Sequence, residues 1–175
     1  MNVTKVILMV LEGDTLSIVT TGDEVWMPFG ENSTHKKIRS RFAPMFDERD
    51  TIFFSPVTKA NINGTALLSP LSIIMFEKLT PAEMVSEDDA EHQDEIKNPI
   101  KLHYALIEDA IPVAYGLEVG MTKVNFLTKL FGRFDAALLT RVNVVDVGDP
   151  RGEEFDIFFH FEDEILKQIK VLSVF

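Results

Sequence analysis

At 175 residues, with 46% hydrophobic and 26% charged side chains, the chain has an ordinary globular composition and suits one domain, or one domain carrying an insertion. Its 28 acidic and 17 basic residues give a formal charge of -11, which excludes a protein that coats duplex nucleic acid with cationic surface all over. The absence of cysteine excludes a disulfide framework, a thiolate zinc site, an iron–sulfur cluster and a thiol nucleophile.

In chain order, Val3 to Leu11 and Thr15 to Thr21 read as strands around the turn signal Glu12-Gly13-Asp14, and Glu24 to Phe29 reads as a third strand after Gly22-Asp23. Asn32-Ser33-Thr34 supplies N-cap residues for a short basic helix, His35 to Phe42, which Pro44 stops. Thr51 to Pro56 and Ala66 to Phe76 are apolar runs punctuated by Asn63-Gly64 and Pro70. Leu71 to Leu79 fits strand and helix equally. Thr80-Pro81-Ala82-Glu83 has the capping-box pattern and opens a short helix that runs into an acidic stretch. Ile100 to Leu106 alternates as a half-buried strand, with Lys101, His103 and Ala105 on its other face, and Ile111 to Val119 reads as an edge strand. Between Thr122 and Phe134 the spacing is helical, with Val124, Leu127, Leu130 or Phe131 and Phe134 inward and Lys123, Lys129 and Arg133 outward. Residues 138–147 and 153–162 read as a terminal hairpin, its second strand placing Phe155, Ile157, Phe159 and Phe161 on one face. Asp163 to Lys170 reads as a last helical turn or two. The expectation is a single α+β domain over residues 1–175, mainly antiparallel, with two to four short helices.

The charge is uneven. Residues 81–96 hold seven acids and no base, so this one stretch carries -7 of the -11. Residues 83–97 are expected as an exposed acidic loop or insertion, and Glu87, Asp88, Asp89, Glu91, Asp94 and Glu95 as docking candidates for a basic partner. Trp26 and Phe29 with the bases Lys36, Lys37, Arg39 and Arg41 form a combination that suits single-stranded nucleic acid, since cations track phosphates and rings stack on bases. A solvated basic helix explains the same residues without a ligand. On the terminal hairpin Asp146, Asp156, His160 and Glu162 are spaced to share Mg²⁺ or Mn²⁺, the donor set of a metal-dependent phosphodiester hydrolase. A polar outer sheet face explains them equally. Phe158, alone on that polar face, is expected as an exposed contact residue. His35, His92 and His103 have no metal-binding spacing, and His103 reads as a surface or satisfied residue. No GxxxxGK[ST], GxGxxG or GxSxG is present.

The leading expectation is a non-enzymatic interaction or assembly protein, an acidic binding or inhibitory module able to self-associate, with no cofactor. A single-stranded nucleic-acid binder on an OB-like sheet and the metal-dependent hydrolase are the alternatives. The apolar runs are far shorter than the roughly 20 residues that cross a bilayer, and the first residues do not read as a basic-then-apolar leader. A cytoplasmic protein without a membrane partner is expected.

Overall fold

In a pleated sheet successive side chains alternate between faces, and residues directly opposite on neighbouring strands share one. The computed structural model describes residues 6–20, 35–55, 58–79, 100–113, 116–148 and 155–173. They form β1 (Val6–Glu12), β2 (Thr15–Thr20), α1 (His35–Phe42), β3 (Asp47–Phe54), β4 (Asn61–Leu68), β5 (Ile73–Lys78), β6 (Ile100–Ile107), α2 (Lys123–Phe131), α3 (Ala137–Arg141), β7 (Val144–Gly148), β8 (Phe155–Glu162) and β9 (Ile165–Ser173). The nine strands make one sheet in the order β1-β2-β7-β8-β9-β6-β5-β4-β3. The β2–β7 pair is parallel, and the other pairs are antiparallel. This is an α+β architecture. None of the described helices is long and apolar enough to cross a membrane.

One row of side chains ties the sheet together. Ile18, Val147, Ile157, Val171, Ala105, Ile74 and Leu67 are successive cross-strand partners over seven strands, and each is 2% exposed or less. The row ends on Met9 in β1 and Glu48 in β3. Ile38 and Phe42 of α1 and Phe126, Leu127 and Leu130 of α2 join the same buried cluster, so the helices roof this inner face. Burying side chains of this size stabilises the fold by about 1.5–3 kcal/mol each relative to exposure. Phe126 meets Phe159 and Phe161 at ring separations of 4.8 and 5.0 Å.

The α2 helix begins where Thr122 accepts a hydrogen bond from the Asn125 N–H and ends at Gly132, whose φ is 73°. Its first residue, Lys123, is buried; its Nζ donates to the Leu139 carbonyl at 3.0 Å and to Glu164 Oε1 at 2.9 Å. Glu164 and Asp163 form the two-residue β8–β9 turn with φ of 63° and 51°, a conformation that usually selects glycine or asparagine. Lys123 offsets that cost, since its backbone N–H also donates to the Glu164 carbonyl.

Several expectations are corrected. Residues 163–170 are not helical but belong to this turn and β9, because Leu166, Ile169 and Val171 face the inner core. The span 138–147 is not one strand: Ala137–Arg141 is helix α3, and β7 starts at Val144 and pairs with β8, which starts at Phe155. Within Leu71 to Leu79, Ile73–Lys78 resolves as strand β5. Residues 111–113 and 116–119 belong to no strand. In α2 the polarity is inverted at two positions, with Lys123 inside and Val124 47% exposed. The strand expected at Glu24 to Phe29 and the helix expected from Thr80 lie outside the described residues. The nine-stranded order, with β1 and β3 at opposite ends, differs from the five-stranded barrel of an OB-like fold.

Asn63-Gly64, expected as a break, sits inside β4. A Cβ on Gly64 would lie 2.2 Å from the Phe76 carbonyl oxygen and 2.5 Å from the Phe53 ring, so only glycine lets Phe53 fold over the strand. Gly64→Ala is therefore expected to destabilise the protein by about 3 kcal/mol in urea unfolding; an unchanged midpoint contradicts this packing.

Candidate functional site

Strand β3 stands at the end of the sheet, with β4 as its single strand neighbour among the described residues. Its two halves differ in chemistry. In the first half every charge is engaged within the chain: Arg49 pairs with Asp47 at 2.6 Å, Glu48 pairs with Arg39 of α1, and Asp50 accepts from Thr65 Oγ1 and Lys78 Nζ, both at 3.0 Å. The Lys78 and Thr65 hydrogen bonds and the Lys78 charge hold the Asp50 carboxyl below its ordinary 3.8. In the second half, Ile52 and Phe54 share a face two residues apart and are 68% and 61% exposed. Beside Ile52 a shallow cleft is lined by Asp50, Thr51, Asn63, Gly64, Lys78 and Leu79.

On the opposite face, the same end of the sheet closes over a buried polar relay. The pairing of β5 with β6 shifts register between Met75 and Phe76, which leaves His103 as the extra residue between Leu102 and Tyr104. His103 turns to the side of Phe53, whose ring centroid is 5.5 Å away. Its Nε2 is 2.6 Å from Ser55 Oγ and its Nδ1 3.5 Å from Glu77 Oε2, with the ring fully enclosed. Hydroxyl, imidazole and carboxylate in this order are the components of a nucleophilic triad. Two features make this one a clasp instead. Ser55 has no exposed surface, and its N–H, a natural oxyanion donor, is committed to the Ala60 carbonyl at 2.8 Å. Ser55 Oγ also accepts from the Thr58 N–H at 2.9 Å, so the relay pins the β3–β4 connection to β6 and β5. Burial, opposed by Glu77, keeps the His103 pKa below 6.5. His103 is thus an interior residue, not a surface one.

The terminal-hairpin acids and histidine are brought to one face. Asp146 lies opposite Phe158, and Phe158 opposite Lys170, while Asp156 and His160 flank Phe158 along β8. Burial, aided by the Asp156 charge, pushes Asp146 up to about 6, and burial raises Asp156 as well. Burial, with Lys170 beside it and Asp14 opposing, lowers His160. One oxygen of Asp146 is enclosed with no hydrogen-bond partner. Among the described residues no three His, Asp or Glu side chains are grouped to hold a metal ion, and Glu162 is exposed next to the β8–β9 turn. Phe158, expected as exposed, is half-buried and stacks on His160 at 6.4 Å.

The bases of α1 are partly consumed by the fold. Arg39 pairs with Glu48, and Arg41 donates to the Pro112 carbonyl at 2.5 Å with its guanidinium 5.2 Å from the Phe42 ring. Lys36 and Lys37 are exposed. Trp26, Phe29 and the acidic residues 87–95 lie outside the described residues. Comparison with protein-family models, curated proteins and solved structures gave no match, so function is read from this chain's own residues.

Opposed pH effects follow from half-buried Asp146 and buried His103. Asp146 has a folded pKa above its unfolded 3.8, so the folded chain keeps a proton that the unfolded chain has released, and stability falls from pH 3.8 to about 6. Asp146→Asn is expected to stabilise the protein by about 2 kcal/mol at neutral pH, after allowance for solvent screening, and to do nothing below pH 3.8. His103 has a folded pKa below 6.5, so the stability of its neutral form is complete above that pH and is lost as pH falls through the folded value. His103→Gln should flatten that acid-side loss and cost about 1–3 kcal/mol at neutral pH, because Ser55 Oγ loses its hydrogen bond to the ring. Urea titrations across pH check both, and parallel curves for wild type and variants contradict them.

Proposed function

We propose that the protein is a non-enzymatic interaction module that receives an extended segment of a partner chain at the open end of its sheet, along Thr51–Phe54. The observation that carries this reading is the pair Ile52 and Phe54, more than half exposed and side by side on a terminal strand. A terminal strand offers unpaired backbone N–H and C=O groups, and natural sheets blunt such edges with charge. Here the charges stop at Asp50 and the apolar pair begins two residues later. Strand addition uses those parts: main-chain hydrogen bonds give affinity, and alternate side chains give selectivity. An added segment with apolar residues at alternate positions covers Ile52 and Phe54 and places its backbone against Thr51–Phe54.

Selection from a library of random extended peptides tests this directly. Enriched sequences are expected to alternate apolar residues, to slow amide exchange in Thr51–Phe54 on binding, and to lose at least tenfold in affinity for an Ile52→Lys, Phe54→Lys variant. A library with no enrichment, or binders indifferent to that variant, contradicts the reading.

A further inference from the structure

We propose that the segment seated on β3 is β3 of a second copy of this chain, paired antiparallel about a two-fold axis through Phe53. The inference rests on the edge-strand reading above and names its occupant. In this register Ile52 lies opposite the other copy's Phe54, and Phe54 opposite its Ile52, so each exposed apolar side chain meets its complement. Thr51 faces Ser55, and the charged residues from Asp47 to Asp50 fall outside the paired stretch. Neighbouring registers do worse. An axis through Thr51 sets Ile52 against Asp50, Phe53 against Arg49 and Phe54 against Glu48. An axis through Ile52 leaves Phe54 against Asp50, whose carboxylate is already held by Lys78 and Thr65. An axis through Phe54 brings Pro56, which has no N–H to donate, opposite Ile52.

The surroundings favour the same choice. On the face that carries Ile52, Arg39 of α1 reaches down to Glu48, so the helix guards the charged half of β3 and leaves the apolar half to the other copy. The far end of the sheet does not match. On β1 the exposed Met9 and Val10 are consecutive and therefore point to opposite faces. Pairing β3 to β1 of another copy is also head-to-tail, which builds a larger ring or a filament, whereas β3 to β3 closes at two chains. Each copy carries -11, so association is expected to strengthen as salt screens their repulsion. A basic peptide on the same edge shows the opposite salt dependence.

Sedimentation velocity over a wide concentration range provides the first test. The mass is expected to double with concentration, more readily at higher salt, and the Ile52→Lys, Phe54→Lys variant is expected to stay monomeric with an unchanged circular dichroism spectrum. Because the native chain has no cysteine, register is read by oxidative cross-linking of chains carrying Ile52→Cys mixed with chains carrying Phe54→Cys. The mixture should cross-link several-fold more than either alone. A wild-type monomer at every concentration overturns the second-copy inference, as does a dimer that survives the double lysine variant or one that cross-links equally in each single-cysteine sample. If the monomer still binds selected extended peptides and loses them in that variant, the edge-strand reading stands without self-pairing; if it binds none, both fall.

Discussion

The structure depends on one cross-strand row, Ile18, Val147, Ile157, Val171, Ala105, Ile74 and Leu67, that runs unbroken through seven strands. Each member is buried, so a one-residue slip in any of these strands turns its apolar side chains to the other face and exposes the core. The row fixes the register of the sheet and thereby decides what happens at its ends. On β1 it reaches Met9, half exposed, and on β3 it reaches Glu48, held by Arg39. The register that buries Leu67 and Ile74 also places Ile52 and Phe54, both exposed, on the face that carries α1. The exposed pair is a consequence of satisfying the core.

Three polar groups inside the fold are handled in three ways. The Lys123 ammonium is satisfied by a carbonyl and a carboxylate and secures a turn whose backbone is unfavourable for its side chains. His103 meets Ser55 through Nε2 while its Nδ1, 3.5 Å from Glu77, has no hydrogen-bond partner, and the three groups join β3, β6 and β5. Asp146 keeps one oxygen enclosed without a partner, so the fold favours its protonated form. A buried polar group costs free energy in proportion to what it lacks. Of the three, Asp146 is the residue whose replacement by asparagine is expected to improve stability at neutral pH.

Much of the sheet was legible in the sequence, and the failures share a cause. Alternation identified Phe155–Glu162 because its inner face is uniformly apolar, and period 3.6 identified α2. A lysine alone signals solvent, so Lys123 reads as outward in the sequence; only the approach of the β8–β9 turn and of α3 makes its burial favourable. Residues 163–170 suggested a helix since Ile165, Leu166 and Ile169 fit that spacing over a short window, and the irregular β8–β9 pairing after His160 hides the strand period. The Ser55–His103–Glu77 relay joins residues from three strands, and the bulge that turns His103 inward breaks the alternation that would have located it. The charged half of β3 and Phe54 were visible as residues. That they stand on the last strand of the sheet is a property of strand order, which no local pattern encodes.

Hydrogen exchange at the backbone amides of β3 tests the central claim, that Thr51–Phe54 is an open edge used for pairing, most directly. In dilute protein, the amides of this stretch that point away from β4 should exchange nearly as fast as those of an unstructured peptide, while their β4-bonded neighbours stay protected. At concentrations where chains associate, the outward amides should gain protection with no change in β7, β8 or β9. Outward amides already protected in dilute protein, or amides indifferent to concentration and to every added peptide, contradict the claim.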